Sequence, residues 1–448
     1  MKQGDLIKLF IQNFGSNGEG VGKAGDDYVY ASFALPGEFL SARVLYAKRN
    51  TVFAIPKEIF KPSPNRITPK CSKFGKCGGC QLQHADYETQ LEFKRECVRQ
   101  NLSRIGGVDC EVLPTVPSDK QWGYRNKVQF PVGERDGKAV VGFFKNDTHT
   151  LVQVEQCPLQ DDWAQKMTEA FLSYANKAKV KPYDERKHDG VLRHLVGRYV
   201  DGQLLVTVVI NADQLPAKEV LVAELKKRFE DFGLFKNINT AKTNVILGKR
   251  TEWLYGRKVI QSKVEGVDFF LRPDSFFQVN FDVMKKIYAK VKEFVNARQV
   301  DVLVDCFSGS GVLSAGLYQP HVKEYAIEIV PSSTADANQL KEKNNLTNLT
   351  NICGDVAKEL PEIMERHKGQ KIAVVLDPPR KGVDKNTVDL LLNAKPDVVA
   401  YISCDSATLA RDIKLLTQTN EYSIDFVQPY DMFPQTKHVE SVVCLTRK

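Results

Sequence analysis

From residue 275 onward, strand-like apolar runs alternate with helix-like patterns, and one run, Val302-Leu-Val-Asp305, breaks into Cys306-Phe307-Ser-Gly309-Ser-Gly311. Sustained strand–helix alternation is the signature of a doubly wound parallel sheet, which binds ligands at the carboxyl ends of its strands. A turn there with two glycines lets the backbone approach a ligand closely. The dinucleotide pattern asks for a third glycine, but Ser314 stands in its place. Pyrophosphate packed against the following helix is therefore disfavoured.

Acids end the successive strands. Glu328 closes Tyr325-Ala-Ile-Glu328, where a carboxylate can accept both ribose hydroxyls of a nucleoside. Asp355, in Cys353-Gly354-Asp355, falls at a third strand end, near an adenine. Any one of these acids could be a helix cap. Together with Asp305 they suggest a nucleoside without phosphates, hence S-adenosylmethionine.

After Ile372-Ala-Val-Val-Leu376 comes Asp377-Pro-Pro-Arg380-Lys-Gly382. Enzymes that methylate exocyclic amines often place an aromatic ring where Arg380 stands, so this chain argues against that chemistry. Further on is Tyr401-Ile-Ser-Cys404-Asp405. A thiolate adds readily to the electron-poor C6 of a pyrimidine, which makes C5 a carbon nucleophile able to take a methyl group. Most free cysteines are merely small buried hydrophobes, and Cys404 alone would be read so. Removing the C5 proton afterwards needs a base, and His438 or Glu440 in Lys437-His438-Val-Glu440 could serve. Either could instead form a surface pair with Lys437.

Residues 1–58 alternate short strands, Leu6 to Ile11, Val29 to Ala31, Glu38 to Tyr46 and Thr51 to Ile55, with glycine turns. This spacing predicts a small β-barrel of the kind that tracks nucleic acid, with Arg43, Lys48 and Arg49 as phosphate contacts or merely solvated cations. A proline-rich connector follows over 60–69. Residues 71–270 read as mixed α and β structure, with a helix over 86–105 showing Tyr87, Leu91, Val98 and Leu102 on one face and able to pack on the catalytic domain. Strands are predicted over 127–132, 140–144 and 204–210. Residues 275–448 form the third region.

Three cysteines crowd into Cys71-Ser-Lys-Phe-Gly-Lys-Cys77-Gly-Gly-Cys80, and a fourth, Cys157, lies far off beside a proline. Four thiolates of this pattern suit an iron–sulfur cubane, and structural zinc would use the same four. The x5 and x2 spacing with a fourth ligand differs from the open-iron site of radical enzymes. Cys97 and Cys110 lack such company and read as inert.

The remaining composition sets bounds. The 448 residues suffice for two or three domains, and 42% hydrophobic with 26% charged residues is ordinary for a globular protein. A net charge of +8 favours a polyanionic partner. The strongest apolar run, Leu204 to Ile210, is too short to span a bilayer. We expect a cytoplasmic protein, a monomer with no membrane association, whose ten cysteines act as thiols or ligands.

With these motifs in place, the chain resembles the bacterial RNA uracil-C5-methyltransferases, in particular those acting on 23S ribosomal RNA. The resemblance rests on the barrel, the cysteine quartet, Asp274-Ser-Phe276-Phe-Gln278-Val-Asn280, Asp305-Cys-Phe307-Ser-Gly309, Asp377-Pro-Pro-Arg380, Ser403-Cys404 and His438-Val-Glu440. It implies a multidomain protein: an N-terminal TRAM/OB-like β-barrel, an α+β central domain with an iron–sulfur cluster, and a C-terminal Rossmann-like α/β class I S-adenosylmethionine-dependent methyltransferase. It implies Cys404 as nucleophile and Glu440 as base. Gln278, Phe307, Gly309, Glu328, Asp355 and Asp377 would surround S-adenosylmethionine, and Cys71, Cys77, Cys80 and Cys157 would hold a [4Fe-4S] cluster. Arg125 and Phe276 would touch RNA. Val312 departs from the polar Asn common in relatives. Alternatives are a tRNA uracil-C5-methyltransferase, an RNA cytosine-C5 methylase and a non-catalytic RNA-binding ribosome-assembly factor.

Overall fold

The computed structural model describes all residues except 147, 155 and 265. Strands β1 (Leu6–Phe14), β2 (Gly20–Ala24), β3 (Asp27–Ala31), β4 (Phe39–Lys48) and β5 (Thr51–Lys61) close into a barrel in the order β1-β2-β3-β5-β4. Its interior holds Leu9, Ile11, Val29, Ala31, Leu40, Ala42, Val44, Val52 and Ala54, alternate positions that include small side chains because so narrow a barrel has little room. Two expectations need correction. Strand β2 was not foreseen, since Gly20-Val-Gly-Lys-Ala is short and glycine-rich, and β5 runs on to Lys61, past residue 58 and into the predicted connector. That connector is tied down: buried Glu38 accepts from Arg66 Nε at 2.5 Å.

Helix α1 (Tyr87–Asn101) is capped by Asp86, whose carboxylate accepts from Thr89 N, and continues as a wider π turn over Leu102–Gly106, closed by left-handed Gly107. The expected single helix is thus two, and its buried face is Gln90, Phe93, Lys94 and Val98 instead of one containing Tyr87 and Leu91. Polar residues are buried there because partners from the C-terminal region reach them. Next come β6 (Lys127–Arg135), β7 (Lys138–Phe144), β8 (Leu151–Gln153), α2 (Asp162–Lys177), β9 (Leu192–Val200), β10 (Gln203–Ile210), α3 (Lys218–Lys226), β11 (Phe232–Ile238) and β12 (Arg250–Gly256). These strands make one sheet, β12-β11-β10-β9-β6-β7-β8, packed against α2 and α3. A hairpin, β13 (Ile260–Val264) and β14 (Val267–Leu271), leads onward.

The last region contains α4 (Phe281–Ala297), β15 (Val302–Cys306), α5 (Val312–Leu317), β16 (Lys323–Glu328), α6 (Pro331–Lys343), β17 (Leu349–Cys353), α7 (Val356–Arg366), β18 (Ile372–Leu376), α8 (Lys385–Ala394), β19 (Val398–Ser403), α9 (Ser406–Thr417), β20 (Tyr422–Tyr430) and β21 (Glu440–Arg447). The strand order is β17-β16-β15-β18-β19-β21-β20, parallel until β21 enters antiparallel beside β19. Strands β15 and β18 are buried throughout, as continuous apolar strands covered on both faces should be. Helix α1 also packs here, with Val98 and Leu102 in the core that holds β15, β18 and α9. Among the described residues, no helix is long and apolar enough to cross a membrane.

Candidate active site

Strand register brings the reactive groups together. In the antiparallel pair β19–β21, Ser403 faces Ser441, so the next step outward sets Cys404 against Glu440. Cys404 is half-buried where the chain leaves β19, and Asp405 caps α9 by accepting from Ala407 N and Thr408 N, both at 3.0 Å. Glu440 is 2% exposed. Burial pushes its carboxyl well above the ordinary range, the Asp377 charge adds to the rise, and Arg380 opposes it. Burial likewise raises the Cys404 thiol to about 11, with Glu440 and Asp377 raising and Arg380 lowering it. His438 is driven down to about 4 by burial and by surrounding cations, Arg380 first among them. The alternative of a surface pair with Lys437 is not realised among the described residues: Glu440 is inside, and Lys437 bonds Asn17 of the barrel. The influence of Arg380 on three groups was not anticipated; its only trace in the sequence was a cation in place of an aromatic.

The turn after β15 is shaped for close approach. Phe307 has φ +67°, Gly309 +56° and Gly311 +78°, and a Cβ on Gly311 would lie 2.9 Å from Ala337 Cβ. Glu328, ending β16, accepts from Gly309 N at 2.9 Å and Val330 N at 2.8 Å, which fixes its carboxylate beside the turn. Asp355 caps α7, accepting from Ala357 N at 3.0 Å, so its cap role is realised. Asp377 directly follows β18, where burial raises it to about 7. Asp305 is the third of the strand-end acids. It is fully buried, accepts the Ser314 hydroxyl that replaces the third glycine, and is raised to about 7 mainly by burial, with Asp377 and Glu328 adding to it. Gln278 is joined to the central region through its carbonyl, which accepts from Asn126 Nδ2 at 2.9 Å. Phe276 nearby is 72% exposed.

Cys71, Cys77, Cys80 and Cys157 line one small cavity with Phe74, Gln83 and Arg125. Burial first and the neighbouring thiols after it lift Cys80 to about 12 and Cys157 to about 11. Gly79 N–H donates to Cys77 Sγ at 3.4 Å, and Cys71 N–H donates to Gln83 Oε1 at 3.0 Å. Among the described residues, no set of three or more His, Cys, Asp or Glu side chains is arranged to hold a metal ion. Arg125, expected on RNA, is half-buried against this cavity, and its Nε has no partner among the described residues.

Residues 86–448 match the family model described as tRNA (Uracil-5-)-methyltransferase, which spans most of the chain. The chain belongs to the RNA (uracil-5-)-methyltransferase family. This methyltransferase is 36% identical over 450 residues to an uncharacterized RNA methyltransferase of Clostridium tetani, covering 100% of this chain and 97% of that one. It is 35% identical over 452 residues to another from Halalkalibacterium halodurans, covering 100% and 98%. Its fold is also similar to the crystal structure of Pyrococcus abyssi tRNA (uracil-54, C5)-methyltransferase in complex with S-adenosyl-L-homocysteine, with a TM-score of 0.77, 26% identity, and coverage of 98% of this chain and 100% of that one. The methyltransferase is thus an S-adenosylmethionine-dependent enzyme acting on RNA, and the five-stranded barrel and the methyltransferase fold are both present.

Proposed function

We propose that the enzyme methylates C5 of a uridine in 23S ribosomal RNA through a covalent bond between Cys404 and C6. The observation that supports the covalent chemistry is the β19–β21 register, which sets a thiol and a buried carboxyl side by side at the strand ends, while the choice of 23S rRNA rests on the resemblance of the sequence motifs alone. S-adenosylmethionine supplies an electrophilic methyl group on a sulfonium; Phe307, Gly309, Glu328, Asp355, Asp377 and Gln278 would surround it. Cys404 Sγ adds to C6, and the C5–C6 π pair moves onto C5 and the adjoining carbonyl. C5 would then take the methyl as its bond to the donor sulfur breaks, leaving a neutral thioether. Glu440 removes the C5 proton, the electron pair re-forms the double bond, and the thiolate departs. Glu440 must be ionised for this, and a cation bound beside Asp377 and Glu440 favours that form. Flipping the uridine from its stack exposes C6, with exposed Phe276 as a surface for the displaced base.

The cysteine quartet in one cavity supports a [4Fe-4S] cluster held by Cys71, Cys77, Cys80 and Cys157. Burial and the neighbouring thiols disfavour the thiolates of Cys80 and Cys157, and a cationic centre would offset both effects. Anaerobically purified protein should contain about four irons per chain. Stoichiometric zinc instead would refute the cluster.

A tRNA substrate is the second reading, because the Pyrococcus abyssi tRNA (uracil-54, C5)-methyltransferase is similar over 98% of this chain, the barrel as well as the catalytic region. Incubation with labelled methyl donor and separate 23S rRNA and tRNA from cells lacking this protein, followed by nucleoside digestion, decides. The proposal expects 5-methyluridine in 23S rRNA. Label confined to tRNA would establish the alternative, and label in 5-methylcytidine would refute both.

A further inference from the structure

Glu440 enters β21 from the loop Asp431–Val439, and that loop is held largely by distant elements. Gln435, at its turn, is 1% exposed with φ +72°, a left-handed conformation that a glutamine keeps only where its surroundings over-determine it. On one side stands Gln90 of α1. Its Oε1 accepts from Gln435 N at 3.0 Å, and its Nε2 donates to Gln435 Oε1 at 3.1 Å and Ala85 O at 3.0 Å. On the other side, the backbone N–H groups of Gln81 and Leu82, just after Cys80, both donate to Gln435 O at 3.1 Å. Gln81 Oε1 also accepts from Lys437 N at 3.2 Å, and its Nε2 donates to Gly78 O at 3.0 Å. The Tyr124 hydroxyl donates to Pro434 O at 3.1 Å.

We propose that Gln90 and Gln81 are positioning residues for proton abstraction: by locking Gln435 in its left-handed turn they hold Glu440 against Cys404, and Gln81 joins the cysteine loop mechanically to that base. This rests on Glu440 being the base, as proposed above. The steps of the reaction depend on the loop unequally. Addition by Cys404 and attack on the sulfonium use groups at the ends of β19, β15 and β16, whereas C5 proton removal requires Glu440 within hydrogen-bond reach. A loosened loop therefore delays the last step selectively. The C5 proton stays, the C6–S bond cannot break, and a methylated protein–RNA adduct builds up.

The test is a single-turnover time course with full-length protein, labelled methyl donor and total RNA from cells lacking this protein, with the adduct read on denaturing gels after nuclease treatment. Glu440→Gln is the reference and should retain labelled adduct. Gln90→Ala and Gln81→Ala should show the same adduct, with its release slowed about 10- to 100-fold, as expected for a misplaced catalytic group. Gln90→Glu keeps the acceptor for Gln435 N but sets a buried carboxylate against Gln435 Oε1 and Ala85 O, so its adduct should be released as slowly as that of Gln90→Ala. Folded Gln90→Ala and Gln81→Ala proteins that slow all steps equally without adduct would overturn the positioning role. Should one variant fail to fold, the other still carries the test. If Glu440→Gln itself gives no adduct, the base assignment falls instead, which separates the two failures.

Discussion

Cys404 in the free enzyme is a poor nucleophile, with its thiol raised to about 11 by burial and by the Glu440 and Asp377 carboxyls. Ordinary thiols ionise near 8.5, so the site holds its sulfur protonated at neutral pH, and activation has to come with substrate. Arg380 works in the opposite direction on both Cys404 and Glu440. Alkylation of Cys404 by iodoacetamide, followed by peptide mapping, should accelerate about tenfold per pH unit from neutrality towards pH 11, because below its pKa the thiolate fraction rises in that proportion. Arg380→Gln should slow alkylation at pH 8 several-fold, since removing a cation raises the thiol further. A rate that levels off near pH 8.5 would contradict this picture. Cys404 and Glu440 could be proposed from the sequence because their residue types match the chemistry and their motifs resemble a family. The surroundings of Arg380, Gln90 and Gln81 could not be read there, because those contacts are made only on folding.

At the scale of elements, α1 shows why sequence reading reaches a helix sooner than its face. The pattern marked the helix, and Val98 and Leu102 of its expected face are buried, but any scale that scores Lys94 as a surface residue misses the rest of that face. Lys94 is fully buried, bonds Asp431 and donates to Phe433 O at 3.0 Å. Burial pulls the ammonium's pKa down while Asp431 pulls it up. Removing one partner strands the other as a buried unpaired charge, at a cost of about 3–5 kcal/mol. Lys94→Met and Asp431→Leu should each lower stability to urea by that amount, and the double variant should recover most of it. A double variant as unstable as the sum of the singles would mean that the two do not act as a pair. Strands β19 and β21 were also legible as apolar runs, yet their register was not. A shift of one residue would turn Glu440 to the opposite face of the sheet.

At the scale of the molecule, the chain builds a barrel, a mixed sheet and a parallel-rich sheet, and stitches them with bonds no local pattern encodes. Lys437 to Asn17, Gln435 to Gln90 and Gln278 to Asn126 each cross between regions far apart in sequence. The regional plan was readable because strand spacing and periodicity are local properties; the stitching was not, because it is set by tertiary contact. Two of these bonds, Lys437 to Asn17 and Gln435 to Gln90, fasten the loop before Glu440 to the barrel and to α1. The central claim is a covalent Cys404–C6 intermediate, and RNA carrying 5-fluorouridine tests it most directly. After addition and methyl transfer, C5 then bears fluorine where the base would take a proton, and elimination cannot follow. The full-length enzyme with methyl donor should form a labelled protein–RNA complex that survives denaturing electrophoresis, with the nucleotide mapped to the peptide containing Cys404 and no complex from Cys404→Ala. Attachment at another residue, or methylation of ordinary RNA at the wild-type rate by Cys404→Ala, would contradict it.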